Sequence, residues 1–525
     1  MMIRRLSAAL RSIGLSAVMV LPLSAAAQGL AERRVIANLP ALEARIEAAR
    51  QALRTPALAV GIVTSRGLVR FRGFGSKDGA GGPPPDAATV FRVGSTTKAY
   101  IGALLGMQVD RGSLSWSDRV TVLDPDFQMA DPRVTADFQV IDLLAQRSGL
   151  PSYALGYLML LNYPVSATVK GIRFVQPVAP FRGAFAYQNA FHAVAGRIVA
   201  ARAGVPDWPD LLARDLLIPL GMFNASAGQM AFQENPNRAT GYEIDAYSGR
   251  NQPVRTDYSP IGDRFDSQAA GGINGSVADV ARWVQLQLGR GTVDGRQYLR
   301  PDTIEQTWRP LVPVSDTGGL LPGARVGYAT GWVVEQRADA RLIWHNGGLD
   351  GFKSEVAFLP DHDLGIIVLS TLSDSQATAI VVRYALDYAL DQAPQDLLPG
   401  GIKALDAFIA SQRAMTARPA GARPMGPAAD YAGLYVDGAG GPARVEVQGD
   451  GLRVAPLEAR AAIHLAPWDG DRFQVFLDLP PQSGHRLQPL TFIEFERDAA
   501  GVAAFSFVDF GDPTMRFVKR RQERN

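Results

Sequence analysis

Strand patterns stand at both ends of residues 57–371, and a long helical region separates them. Segments 57–64 and 68–73 are predicted as two strands around the turn Ser65-Arg66-Gly67. Four more strands are predicted, over 331–336, 341–344, 355–359 and 364–371. Residues 133–215 have largely helical patterns, as does segment 277–288. This order predicts one sheet whose strands come from both ends of the segment, with a helical region inserted between them.

A change of composition after residue 400 predicts a second domain. Segment 414–427 contains three prolines among alanines and glycines, which is typical of a linker. Short strands separated by turns follow, at 444–448, 451–455, 473–477, 491–496 and 504–509. Their spacing predicts a small β-barrel or sandwich. The expected division is a first domain over 28–400, a linker over 401–428 and an all-β domain over 429–525.

The first 27 residues have the pattern of a secretory signal peptide. Arg4, Arg5 and Arg11 accompany a short apolar stretch over 13–23, and Ala25-Ala26-Ala27 offers small residues for cleavage. The stretch is shorter than the ~20 residues that span a bilayer. We therefore expect export from a bacterial cell, to the periplasm or the medium, with no stable membrane span after cleavage. An uncleaved anchor is the alternative.

Charge and cysteine content exclude several kinds of partner and chemistry. The chain has 53 basic and 51 acidic residues, a net charge of +2 that gives no reason to expect nucleic acid. Cysteine is absent, which excludes disulfides and thiolate chemistry, and no pair of the five histidines has a metal-binding spacing. We expect no metal and no organic cofactor. The sequence leaves a homo-oligomer open.

The segment Ser95-Thr96-Thr97-Lys98 stands at the start of a mostly apolar helix predicted over 97–111. Residues three apart on a helix share one face, so the lysine amine is expected beside the serine hydroxyl. Burial would lower the lysine pKa and allow the amine to activate the serine as a nucleophile. The chain has six lysines, and only Lys98 has a serine three residues before it. The alternative is a helix-capping serine with a solvated lysine.

Two further motifs are candidates for the same site. In Tyr187-Gln188-Asn189 the tyrosine can relay protons, and the asparagine can fix the lysine or bind a substrate amide. In His345-Asn346-Gly347-Gly348 the glycines let a substrate backbone approach, and the Gly348 N–H can join that of Ser95 in an oxyanion hole. The alternatives are a packed tyrosine with a capping asparagine, and an Asn-Gly hairpin turn with a structural histidine.

Together these motifs, in this order, resemble the serine β-lactamase-related family of class C β-lactamases and peptidase S12-like serine hydrolases. Further similar segments are 147–151, 219–222, 270–272 with Asp279, and 348–352, so the resemblance covers residues 30–390. It implies an α/β (α+β) fold like that of β-lactamases and penicillin-binding proteins: an antiparallel sheet flanked by helices, with an inserted helical domain. It also implies Ser95 as nucleophile, Lys98 as base and Tyr187 as proton shuttle, with Asn189 and His345 lining the cleft.

The segment 430–435, with Gly449-Asp450-Gly451-Leu452 and Phe473, resembles the lipocalin-like domains appended to some peptidases of this family. Such a barrel can hold a small ligand. It can also cover the cleft of a neighbouring subunit, or pack against its own first domain.

The third motif departs from the family pattern, and this affects the expected substrate. In β-lactamases and most penicillin-binding members it opens with lysine, which helps to hold a substrate carboxylate. Here it opens with His345, which is mostly neutral at pH 7. We therefore expect a small-molecule or short-peptide substrate and a peptidase (D-amino-acid or aminopeptidase type) or esterase. The alternatives are a β-lactamase or DD-carboxypeptidase and, in another class, a non-catalytic ligand-binding or sensor protein.

Overall fold

The computed structural model describes residues 29–79, 81–255, 269–315, 319–479, 485–508 and 516–520, and the predicted signal peptide lies outside them. The helices are α1 Leu30–Ala37, α2 Leu39–Ala52, α3 Thr97–Asp110, α4 Val120–Leu123, α5 Pro132–Asp137, α6 Gly156–Leu160, α7 Val165–Gly171, α8 Ala190–Ala203, α9 Trp208–Leu212, α10 Ile218–Leu220, α11 Gln229–Glu234, α12 Val277–Leu288, α13 Pro301–Thr307, α14 Ala377–Ala389, α15 Leu398–Thr416 and α16 Ala428–Tyr431. Among the described residues, no helix is both long and apolar enough to cross a membrane.

Strands β1 to β15 belong to the first domain. They are β1 Ala57–Thr64, β2 Gly67–Gly75, β3 Phe91–Arg92, β4 Ser226–Ala227, β5 Tyr242–Ile244, β6 Asn251–Pro253, β7 Ile273–Gly275, β8 Thr292–Val293, β9 Arg296–Gln297, β10 Val312–Pro313, β11 Arg325–Tyr328, β12 Val333–Gln336, β13 Arg341–Leu349, β14 Phe352–Leu359 and β15 Leu364–Ser370. Eight of them form one antiparallel sheet in the order β10-β11-β12-β13-β14-β15-β1-β2. The prediction that strands from both ends share one sheet is confirmed.

The main sheet is covered by helices on both faces, and β1 shows why its sequence is apolar throughout. Side chains of a strand alternate between faces. Ala59 and Val63 pack in one core with residues of α12, whereas Leu58 and Ile62 pack in a second core with residues of α2 and α14. Because all eight residues of β1 are buried, neither face of this strand can be polar.

A helical region lies between the two groups of strands, and α3 is its central helix. Twelve of the fourteen residues of α3 are buried, so this helix is apolar on nearly all sides rather than amphipathic. It packs against α8 and α13. The family-like architecture of an antiparallel sheet with an inserted helical domain is therefore confirmed.

The second domain is a closed antiparallel barrel of eight strands. They are β16 Gly433–Asp437, β17 Gly441–Gln448, β18 Gly451–Pro456, β19 Ile463–Asp469, β20 Arg472–Leu477, β21 Thr491–Asp498, β22 Gly501–Phe507 and β23 Phe517–Lys519. Aromatic rings fill its interior in mostly tilted or edge-to-face contacts, among them Tyr431, Tyr435, Phe473, Phe495, Phe505 and Phe517. These rings pack on one another in the barrel core; whether the barrel holds a ligand stays open.

The connection between the domains differs from the expected linker over 401–428. Helix α15 continues to Thr416, and only 417–427 is irregular. The helix forms because Leu405 and Ile409 bury one face against the first domain, a gain that composition alone does not reveal. The barrel also packs on the inserted helical region, where the Tyr157 hydroxyl donates to Asp437 (2.8 Å) and the Tyr163 hydroxyl donates to the Gly440 carbonyl (2.8 Å).

Candidate active site

Ser95 lies in a 3₁₀ turn over Gly94–Thr96, between β3 and α3. The preceding Gly94 has a φ of +55° and is close to the backbone of β13, where a side chain at 94 would place its Cβ 2.8 Å from the Gly348 nitrogen. The turn is fixed by the Thr97 hydroxyl, which accepts from the Ile273 N–H at 3.1 Å. Ser95 itself is partly exposed, so a substrate can reach its hydroxyl.

Lys98 lies one helical turn further on and is completely buried. Its Nζ is 3.1 Å from Ser95 Oγ, 2.8 Å from Asn189 Oδ1 and 2.8 Å from the Ala270 carbonyl oxygen. Burial holds the pKa of this amine well below its ordinary value. A neutral amine has two N–H donors and one lone pair. The amide and carbonyl oxygens match the donors, which leaves the lone pair for the Ser95 proton.

Tyr187 supplies a second proton-carrying group beside Ser95. Its ring centroid is 4.7 Å from Lys98 Nζ, and its phenol lies close enough to the Ser95 side chain for that side chain to influence the phenol pKa. Desolvation raises the pKa of the phenol well above its ordinary value, so Tyr187 is a protonated donor at neutral pH. The three groups therefore form a chain in which a proton can pass between amine, hydroxyl and phenol.

Asn189 precedes α8, where a capping role was the alternative. Its side chain makes no capping hydrogen bond and instead accepts from Lys98. The segment is held by Gln146, whose side-chain oxygen accepts from the Gln188 N–H (2.5 Å) and whose amide donates to the Gln188 carbonyl (3.1 Å). The candidate role of Asn189 in fixing the lysine is thus the one that the geometry supports.

The segment His345-Asn346-Gly347-Gly348 lies inside β13, not in a hairpin turn. On one side β13 pairs with β14 up to Leu349, whereas its pairing with β12 ends at Trp344. Residues 345–349 therefore have one edge without a partner strand among the described residues. A side chain at Gly347 would place its Cβ 2.0 Å from the Val93 oxygen and 2.9 Å from the Ser95 nitrogen, so only glycine fits. The backbone nitrogens of Ser95 and Gly348 thus both lie at the close contact between the serine turn and β13.

His345 is buried behind this edge rather than open to solvent. It is 2 % exposed, and its Nε2 is 3.1 Å from the Tyr328 hydroxyl. Burial, with the neighbouring Lys98 as a smaller cause, lowers the pKa of His345 to about 3. The imidazole is therefore neutral at neutral pH. By contrast, Asn346 and Gly348 are exposed.

Three contributors were not among the candidate residues. The Ala270 carbonyl comes from a segment 172 positions from Lys98, although Ala270-Gly271-Gly272 was one of the family-like segments. Tyr328 orients His345, and the Ser354 hydroxyl donates to the Val93 carbonyl (2.7 Å) and so ties β14 to the serine turn. In the described part of the chain no cluster of acidic and histidine side chains could hold a metal ion.

Comparisons with known proteins agree with this fold. A family model described as Beta-lactamase matches residues 42–390. Among curated relatives, Unguisins hydrolase ungD of Aspergillus violaceofuscus is 27 % identical over 421 residues, which cover 73 % of this chain and 72 % of the relative. Protein flp of Staphylococcus aureus (strain COL) is 25 % identical over 335 residues, or 62 % of this chain and 61 % of the relative.

Two solved structures share the fold. The octameric penicillin-binding protein homologue from Pyrococcus abyssi has a TM-score of 0.59 and 21 % identity, and the match covers 92 % of this chain and 100 % of that one. SurE has a TM-score of 0.53 and 19 % identity, with 92 % and 99 % covered. At these identities the likeness concerns the fold alone.

Proposed function

The chain belongs to the β-lactamase family, and we propose that it is a serine hydrolase that forms an acyl ester on Ser95. The observation that carries this proposal is the environment of Lys98. Its amine is buried, contacts no carboxylate of the described residues and lies 3.1 Å from Ser95 Oγ. Such an amine can take the hydroxyl proton at neutral pH, which a solvated lysine cannot do.

The reaction follows from the order of groups in the site. Lys98 removes the proton as Ser95 Oγ bonds to the substrate carbonyl carbon, and the Ser95 and Gly348 N–H groups stabilise the resulting oxyanion. Tyr187 protonates the leaving nitrogen or oxygen as its bond to carbon breaks, and the Lys98 proton replaces the one that Tyr187 gives up. Water then attacks the ester through the same groups in reverse, which releases the acid and restores Ser95.

A peptide or simple ester is the substrate class that we favour. The free edge of β13 can pair with an extended backbone, as a strand added to a sheet does. His345 is neutral and buried, so this position offers no cation for a substrate carboxylate. The alternative activities of β-lactamase and DD-carboxypeptidase are disfavoured for that reason. One relative is named for hydrolysis of unguisins, in line with a hydrolase.

Two further aspects remain proposals. The N-terminal pattern supports action outside the cytoplasm, in the periplasm or the medium. An assembly of several copies is supported by the octameric solved homologue.

The experiment is intact-mass spectrometry after incubation with a fluorophosphonate. We expect one adduct on the native protein, none on Ser95→Ala, and a labelling rate for Lys98→Ala lower by about 10²–10⁴-fold. Esters, D- and L-aminoacyl p-nitroanilides and nitrocefin then separate esterase, peptidase and β-lactamase. Absence of the adduct on folded native protein would favour the binding-protein alternative. A near-native rate for Lys98→Ala would contradict its role as base.

A further inference from the structure

A cavity of about 130 Å³ lies between the two domains, beyond the C-terminal end of β13. On the side of the first domain its wall is formed by Glu243, Val254, Arg255 and Asp350, the residue that directly follows β13. The barrel contributes the polar residues His485 and Gln488 and four leucines, Leu477, Leu479, Leu487 and Leu490. The barrel thus supplies an apolar surface close to the catalytic strand.

The barrel wall is fixed on the hairpin β5–β6 by a series of direct contacts. They are Arg486 N–H to Gln252 Oε1 (3.3 Å), Gln252 Nε2 to the Arg486 carbonyl (3.2 Å), Ala246 N–H to Gln488 Oε1 (2.5 Å) and His485 Nε2 to Glu243 Oε1 (3.1 Å). The hairpin is in turn bonded to the turn after β13, because the Tyr242 N–H donates to the Gly351 carbonyl (3.2 Å). The cavity is therefore formed before any substrate arrives, which lowers the entropy cost of binding.

The site geometry determines which part of a substrate faces this cavity. The Tyr187 ring lies 6.2 Å from the His345 ring, at the N-terminal end of the free edge of β13. Since Tyr187 protonates the leaving group, that group lies toward His345. The acyl part must then extend the opposite way, past Gly348 toward Asp350. Two residues of a strand span about 7 Å, so a chain of five or six atoms extends from the level of Gly348 to that of Asp350, which lines the cavity.

We infer that this cavity is a specificity pocket for the acyl side of the substrate, and that it takes an unbranched aliphatic chain or an apolar side chain. The inference rests on the proposed function, because it places the acyl group on Ser95. It assigns the barrel a part in substrate choice: the leucines of the barrel bury apolar substrate atoms that the first domain alone would leave in water.

The test compares p-nitrophenyl acetate with p-nitrophenyl hexanoate, which share a leaving group and differ only on the acyl side. Full burial of one methylene is worth roughly a fourfold change in kcat/KM. We expect the native full-length protein to prefer hexanoate by at least about tenfold. Leu487→Trp fills the pocket and should reduce the hexanoate-to-acetate ratio of kcat/KM about tenfold. Leu487→Ala enlarges it and should extend the preference to octanoate.

The control is Leu457→Trp, since Leu457 is an exposed barrel leucine that does not line the cavity. It should keep the native ratio. Fluorophosphonate labelling verifies that each variant retains a folded site. Equal changes for both esters in Leu487→Trp, or an unchanged ratio in both Leu487 variants, would overturn the inference. Failure of the proposed function is a different result: the native protein itself would neither be labelled nor hydrolyse acetate.

Discussion

Lys98 Nζ lies 2.8 Å from Oδ1 of Asn189, so a neutral oxygen rather than a carboxylate faces the buried amine. The distinction matters because a carboxylate at this distance would favour the ammonium form and remove the base. An amide accepts a hydrogen bond from the amine and leaves its lone pair available. The residue type at 189 thus sets the protonation state on which the proposed chemistry depends.

Asn189→Asp is expected to slow acylation at pH 7 by at least about tenfold. The new carboxylate should raise the Lys98 pKa by about 1–3 units. The acidic limb of the pH–rate profile should then lie at a pH that is higher by the same amount. The measurement is the rate of fluorophosphonate labelling between pH 5 and 10. Asn189→Leu serves as control, because it removes the acceptor without adding charge and should leave the limb in place. An unmoved limb in Asn189→Asp would mean that Lys98 is not the titrating base.

Gly347→Ala is expected to reduce the labelling rate by about 10²–10³-fold, the typical cost of losing an oxyanion donor. The added Cβ would meet the Val93 oxygen at 2.0 Å and the Ser95 nitrogen at 2.9 Å, and must push β13 away from the serine turn. The control is Gly400→Ala, since a Cβ at Gly400 meets nothing within 4 Å. A native rate for Gly347→Ala would show that the strand can move without harm to the oxyanion hole.

The local parts of the site were predictable from the sequence, whereas its long-range parts were not. The three-residue spacing of Ser95 and Lys98 requires contact once α3 forms, and the apolar flanks of α3 predicted its burial. No spacing rule connects Lys98 with the Ala270 carbonyl, because that contact depends on how β7 pairs with β3. The same holds for Tyr328 and His345, which meet only after two strands have been placed in register.

The fold shows the same division between local features, which the sequence predicts, and features that depend on long-range contacts, which it does not. Short strand-like segments bounded by turns predicted β1, β2 and the strands after residue 331, since these signals act over a few residues. The Asn346-Gly347 pair carries a hairpin signal, yet it lies within β13 because the contacts of Gly347 with the serine turn outweigh a local preference. Likewise, burial of Leu405 and Ile409 extends α15 into a segment whose composition indicated a linker.

His345→Gln is expected to reduce the loss of folding stability that the native protein shows as the pH falls below 7. The folded-state pKa of His345 is about 3, below its ordinary 6.5, so below pH 6.5 the unfolded chain binds a proton that the native protein does not. Native stability should therefore fall by about 2 kcal/mol between pH 7 and 5 from this residue alone. Glutamine does not titrate and has no such loss. The free energy of unfolding of His345→Gln, measured with urea and taken relative to native, should therefore rise by that amount between pH 7 and pH 5. Parallel pH curves would mean that the folded protein protonates His345.

Glu355→Gln is expected to remove a loss of folding stability that occurs as the pH rises, whereas the loss due to His345 occurs as the pH falls. Glu355 lies in β14 and is 1 % exposed; its Oε2 accepts from the Thr378 hydroxyl at 3.4 Å, and its Oε1 has no hydrogen-bond partner in the described structure. Burial raises the pKa of this carboxyl to about 7 from its ordinary 4.5. The folded protein therefore holds a proton that the unfolded chain has already released, and stability present at pH 4.5 is lost as the pH rises to 7.

The size of this effect follows from the 2.5-unit separation, which corresponds to about 3 kcal/mol. The free energy of unfolding of Glu355→Gln, relative to native, should thus rise by about 3 kcal/mol between pH 4.5 and pH 8, because the glutamine fills the same space without an ionisation cost. Glu234→Gln, at an exposed position in α11, should show no such rise. If the Glu355→Gln and native curves stay parallel over this range, the Glu355 carboxyl ionises as readily in the folded protein as in the unfolded chain, which would contradict its raised pKa.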